Sequence, residues 1–138
     1  MRFLPDLHST LREFKRPSLW LGVWLFGWLL CVTLSLIHPL QIDVQVPDGD
    51  KIGHFLAYAL LSAWSVLIFA KPRSHWKSAL LLVMLGIAME LAQGALTNDR
   101  MMDAMDVLAN SLGVIFGQLL SLTSAQTLLQ RWDLRTFP

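Results

Sequence analysis

The chain has 138 residues, 54% of them apolar and 15% charged, with a mean hydropathy of +0.50. An ordinary soluble domain carries charge on about a quarter of its residues, so this balance points to a membrane protein. A formal net charge of +1 argues against a nucleic-acid binder, which would concentrate basic residues on one surface, and a single cysteine, Cys31, excludes an internal disulfide framework or a cysteine-based metal cluster.

Residues 1–17 form a basic N-terminal segment. Phe3, Leu7, Leu11 and Phe14 recur at helical spacing opposite basic residues, which predicts an amphipathic interfacial stretch. The first apolar run, about 18–37, contains no charge and is long enough to cross a bilayer core of about 30 Å. Its long basic leader, and the lack of a small-residue cleavage site at His38-Pro39-Leu40, argue against a cleaved signal peptide.

Three further runs are expected to span: about 53–70, 77–97 and 103–123. The second is interrupted by His54 and Tyr58, the third carries Glu90 and Gln93, and the fourth carries Asp103, Asp106 and Asn110. An acidic residue at a helix centre costs about 2.5 to 3.5 kcal/mol on the insertion scale. Leu80, Leu81, Leu82, Val83, Leu85, Ile87, Leu91 and Leu96 return roughly 2.4 to 4.8 kcal/mol together, enough to offset one glutamate. The polar groups should then face protein rather than lipid. Residues 124–138 form a tail in which Trp132, Leu134 and Phe137 mix with basic residues.

The fold class expected is all-α: a bundle of four transmembrane helices. Basic residues set its orientation. Arg2, Arg12, Lys15 and Arg16 precede the first run, and Lys71, Arg73 and Lys77 lie between the second and third. The 38–52 loop has only Lys51 and the 98–102 loop only Arg100, while Arg131 and Arg135 follow the last run. Both termini are expected in the cytoplasm.

With that topology the polar residues sort to one side. His54, Tyr58, Glu90, Gln93, Asp103, Asp106 and Asn110 all fall in the outer half of the bilayer or at its surface. On each helix they share a face. Asp50, His54, Tyr58 and Ser65 align on the second helix, Gly86, Glu90, Gln93, Gly94 and Thr97 on the third, and Asp106, Asn110, Gly113, Gly117 and Ser121 on the fourth. The glycines, above all the Gly113/Gly117 pair, are expected to let helix backbones approach closely. A shared polar pocket follows.

These residues carry a resemblance. Asp50-Lys51-Ile52-Gly53-His54-Phe55-Leu56-Ala57-Tyr58-Ala59-Leu60-Leu61, then Glu90-Leu91-Ala92-Gln93, then Arg100 with Asp106-Val107-Leu108-Ala109-Asn110, Gly113 and Gly117, resemble in order the signatures of the VanZ-like family. These are small membrane proteins named for a teicoplanin-resistance protein. Asp103 departs from the pattern, which has a small or hydroxyl residue there. The resemblance covers about residues 48–120. It implies a multi-pass bundle in a bacterial cytoplasmic (inner) membrane and fixes no reaction.

Each polar residue has a structural reading beside its functional one. Asp106 lies in a first helical turn, where the helix dipole favours an anion. Glu90 lies toward a helix C-terminus, where the dipole disfavours one, and an intramembrane acid is a functional candidate by default. Its expected partners are His54 or Arg100. Tyr58 suits an interfacial aromatic as well as a binding group. His8, His38 and His75 fall in flanking or loop positions without a visible constellation.

The ligand-binding set expected is Lys51, His54, Tyr58, Glu90, Gln93, Arg100, Asp106 and Asn110, with His54, Glu90 and Asp106 as candidate catalytic groups. No metal-ligand spacing such as H-E-x-x-H occurs, and no P-loop or G-x-S-x-G elbow, so neither a metal nor another cofactor is expected. The expected partners are the lipid bilayer and an anionic lipid or lipid-linked cell-wall precursor, with no nucleic acid and with homo-oligomerisation left open. Three functions fit: recognition of a head group, including a glycopeptide-resistance type of role; a small enzyme using His/Glu/Asp acid–base chemistry; or a proton-linked transporter. Four helices lack the repeated halves common in transporters.

Overall fold

The computed structural model describes residues 10–36, 49–96 and 102–137. The chain is all-helical there, with no strands among the described residues. Helix α1 spans Pro17–Leu36, α2 Gly49–Ile68, α3 Pro72–Leu96 and α4 Ala104–Gln118, which runs on as a 3₁₀ turn, Leu119–Leu122. A second 3₁₀ turn, Ser124–Thr127, leads into a short α5, Leu128–Thr136. Four helices, counting Ala104–Leu122 as one span, are long and apolar enough to cross a membrane. Large apolar side chains cover their outer surfaces, Phe26, Leu60, Leu80 and Phe116 among them. Such a surface suits lipid and would be a liability in water.

Hydropathy marks helix starts poorly here. Helix α3 begins at Pro72, five residues before its expected onset at Lys77. Proline suits a first helical position, where its missing N–H would have no partner anyway, so Arg73, His75 and Lys77 belong to the helix. His75 is therefore no loop residue. It is buried, with Nε2 2.9 Å from the Phe69 carbonyl oxygen.

Helices α2 and α4 form the closest pair. A β-carbon at Gly113 would fall 2.3 Å from the Phe55 carbonyl oxygen, and one at Gly117 would fall 2.4 Å from that of Ala59. Both glycines thus hold the two backbones in direct contact, as the small-xxx-small pattern predicts. Ser62 Oγ donates to the Val114 carbonyl at 2.8 Å and accepts from Gln118 Nε2 at 2.8 Å, adding polar links across the same seam. Helix α1 is attached more lightly and buries only Trp20 and Trp24.

Residues 10–16 are not helical, although Leu11 and Phe14 carry the helical spacing behind the amphipathic interfacial stretch expected there. Leu11 pairs with Phe69 in an antiparallel bridge, and the amides of Arg12 and Ala70 bond the carbonyls of Ile68 and Thr10 at 2.9 Å each. Leu11 and Phe14 reach the core from this extended stretch, while Phe3 and Leu7 lie outside the described residues. The pairing succeeds because the α2–α3 turn offers free backbone groups, which an isolated interfacial helix would not use.

Helix α5 docks at the same end. Asp133 is fully buried and accepts from Trp20 Nε1 at 2.7 Å and from the Lys15 amide. Arg12 Nη2 reaches Gln126 Oε1 at 2.9 Å. Trp132 and Phe137 pack on Trp20, with ring centroids 5.7 and 6.4 Å away. Both flanking segments therefore close one end of the bundle, and the starts of α2 and α4 form the other.

Candidate functional site

Three helix ends build the site. The first turns of α2 and α4 and the last turns of α3 meet at the end of the bundle away from α5. Asp103 caps α4, its carboxylate accepting from the Met105 amide at 2.8 Å. That bond, with help from Lys51, holds the Asp103 carboxyl below the usual carboxylate range. The cap sets the helix so that Asp106 and Asn110, one turn apart, both face α2.

His54 projects between them. Its Nδ1 lies 3.1 Å from Asn110 Oδ1, and its Nε2 lies 3.6 Å from Asp106 Oδ2. An amide oxygen only accepts, so Nδ1 carries a proton and Nε2 faces the carboxylate. Glu90 arrives from α3, 1% exposed, with Oε2 accepting from the Asp103 amide at 3.2 Å. Its Oε1 has no hydrogen-bond partner among the described residues. Ligand atoms of His54, Glu90 and Asp106 all lie within 4.8 Å of one another.

Lys51 guards the rim. Its Nζ lies 3.3 Å from Asp103 Oδ2, 3.4 Å from Asp50 Oδ2 and 3.8 Å from Asp106 Oδ1. One ammonium thus serves three carboxylates. Tyr58 of α2 is buried and faces the same cavity as Cys31 of α1. Gln93 is buried too, and its Nε2 donates to the Ser35 carbonyl at 2.7 Å. A cavity of about 270 Å³ lies between α1 and α2, lined by Cys31, Leu34 and Ser35 on one side and Asp50, His54, Ala57 and Tyr58 on the other.

The residues expected in one pocket are thus brought together in part. His54, Glu90, Asp106 and Asn110 form the centre and Lys51 the rim. Tyr58 lines the adjoining cavity, and Gln93 fastens α3 to α1. Arg100 lies outside the described residues. Gly86 sits where a β-carbon would be 3.1 Å from the Asn110 side chain, so its smallness makes room for that amide. Gly94 is looser, with Met102 3.5 Å from the corresponding point. Asp103 acts as a cap, and the sequence signal for it was the Asp-x-x-Asp start of an apolar run. The convergence of three ligand-type groups was hidden from spacing rules because each comes from a different helix.

The fold and site define a small membrane protein of four apolar helices with a buried acidic cluster beside a cavity between α1 and α2. The VanZ/LLP1 family model matches residues 4–125, and the chain belongs to this family. No curated protein and no solved structure matches it.

Proposed function

We propose that this protein binds the polar head group of an anionic envelope lipid or lipid-linked cell-wall precursor at the cavity between α1 and α2. The observation that carries the reading is the placement of the buried cluster. Polar groups from three helices meet beside a cavity whose wall is mostly apolar and lies between two lipid-facing helices. A lipid is the ligand whose own two halves match that division. The excess of basic residues at the opposite end supports a site at the outer leaflet. Lys51, at the rim, meets the anionic group first. Asp106 and Asn110 then receive its hydroxyl or amine donors.

Comparison of envelope lipids and precursors by mass spectrometry tests this in cells lacking the protein, expressing it, or expressing Glu90→Gln. The expected result is a change in the abundance or exposure of an existing lipid, with no new mass, that is lost in the variant. Unchanged lipids in Glu90→Ala, Arg100→Ala and Asp106→Ala cells would overturn it.

One observation favours a second reading, a small enzyme acting on the same head group. Asn110 holds one nitrogen of His54 and leaves the other beside Asp106, an arrangement suited to a general base. A new covalent lipid species, present with the wild type and absent with His54→Gln, is its signature in the same experiment.

A further inference from the structure

The head-group reading raises a question of charge. Asp50, Asp103, Asp106 and Glu90 surround the site, and among the described residues Lys51 is the one permanent cation within ion-pair distance of any of them. Lys51 is already shared by the first three. An anionic head group entering such a site meets more negative than positive charge, and two carboxylates this close repel each other in a medium of low dielectric. A further cation answers both problems.

We infer that His54 Nε2, Glu90 Oε1 and an Asp106 carboxylate oxygen form a binding site for a divalent transition cation, Zn²⁺ or Mn²⁺, assembled from α2, α3 and α4. Three observations converge. The three residues offer lone-pair donors within 4.8 Å of one another. Glu90 is 1% exposed, and its Oε1 has no hydrogen bond among the described residues, so a buried carboxyl oxygen lacks the partner that burial ordinarily requires. Asn110 holds Nδ1 of His54 at 3.1 Å and so leaves Nε2 as the ligating nitrogen, the outer support that metal-bound histidines characteristically have.

The dimensions agree. Two ligands each about 2.1 Å from a tetrahedral ion are roughly 3.4 Å apart, and His54 Nε2 lies 3.6 Å from Asp106 Oδ2. The widest pair, up to 4.8 Å apart, must close by as much as about 1.4 Å when the ion binds. One imidazole with two carboxylates is a set that both Zn²⁺ and Mn²⁺ accept. Three protein ligands leave a coordination position open, and His54 borders the cavity toward which it can open. There a phosphate or carboxylate oxygen of the head group binds the ion directly. The acidic cluster thereby becomes an anion receptor. The ion's purpose rests on the head-group reading, while the site itself rests on geometry.

The test uses the untagged full chain purified in neutral detergent, titrated with Zn²⁺ and separately with Mn²⁺, with metal content read by mass spectrometry. The wild type should hold one ion per chain. His54→Gln, Glu90→Gln and Asp106→Asn should each bind at least about tenfold more weakly with their helical circular dichroism intact. Asp133→Asn, altered at the other end of the bundle, should bind as the wild type does. Should a substitution disturb folding, the Mn²⁺ form of the wild type still decides, because a bound ion without nitrogen hyperfine coupling would lack His54 as a ligand and overturn the site. A folded wild type that takes up no stoichiometric ion overturns the site, and the three groups then share a proton instead. Ion uptake undiminished in Glu90→Gln and Asp106→Asn overturns it equally. Because no lipid is present, either failure is separate from failure of the head-group reading.

Discussion

Gly117 on α4 lies against the carbonyl of Ala59 on α2 so closely that a β-carbon would sit 2.4 Å from that oxygen and 2.7 Å from the Ala63 amide nitrogen. Neither neighbour is a side chain that can swing aside. The two helices whose first turns carry His54 and Asp106 are therefore fixed to each other by backbone contact several turns below the site.

Gly117→Ala and Gly113→Ala should force α2 and α4 apart and destabilise the bundle by about 1 to 3 kcal/mol each, the usual cost of overpacking. Gly22→Ala is the control, because its added methyl meets nothing within 4 Å. Thermal unfolding in detergent checks this. A Gly117→Ala protein as stable as the wild type would show that the seam can relax.

Asp133→Ala leaves the Trp20 indole N–H and the Lys15 amide without their acceptor. Losing a buried hydrogen-bond partner costs about 1 to 3 kcal/mol. Residues 10–16 should become more sensitive to limited proteolysis and the tryptophan fluorescence should shift to the red, while ion binding at the far end of the bundle is unchanged.

Asn110→Leu should weaken Zn²⁺ or Mn²⁺ binding by about ten- to a hundredfold, the range seen when the outer support of a histidine ligand is lost. Asn110 is a positioning residue, so the variant keeps all three ligating groups. Isothermal titration measures the change. An unchanged affinity would mean that His54 is oriented by something else.

In a Cys31→Ser background, Met102→Cys should react with a membrane-impermeant maleimide on intact spheroplasts, and Ser124→Cys should react after lysis alone. Met102 and Ser124 are both exposed at opposite ends of α4. The reverse pattern would place the polar site on the cytoplasmic side.

The spans were legible because about 20 apolar residues in a row have few other uses, and the polar stripes because helical spacing carries them. Gly113 and Gly117 could be assigned to packing for the same reason. Other features depend on contacts that no local pattern encodes. Asp133 reads as one more charge in an amphipathic tail, and nothing near it announces Trp20 as a partner. Leu11 and Phe14 have helical spacing, yet the Ile68 carbonyl and the Ala70 amide draw the segment into an extended pairing. His54, Glu90 and Asp106 are 36 and 16 residues apart along the chain, so a ligand rule built for one helix passes over them.

The bond between Trp20 and Asp133 spans 113 positions of sequence. At about 5 to 20 residues per second of synthesis, the indole waits roughly 6 to 20 seconds before its acceptor has been made. Helices α2 to α4 are all translated in that interval, with the Trp20 indole still lacking its acceptor. The bundle must therefore hold its arrangement in the bilayer through the α2–α4 seam before its last contacts form, and the order in which it closes is set by the ribosome.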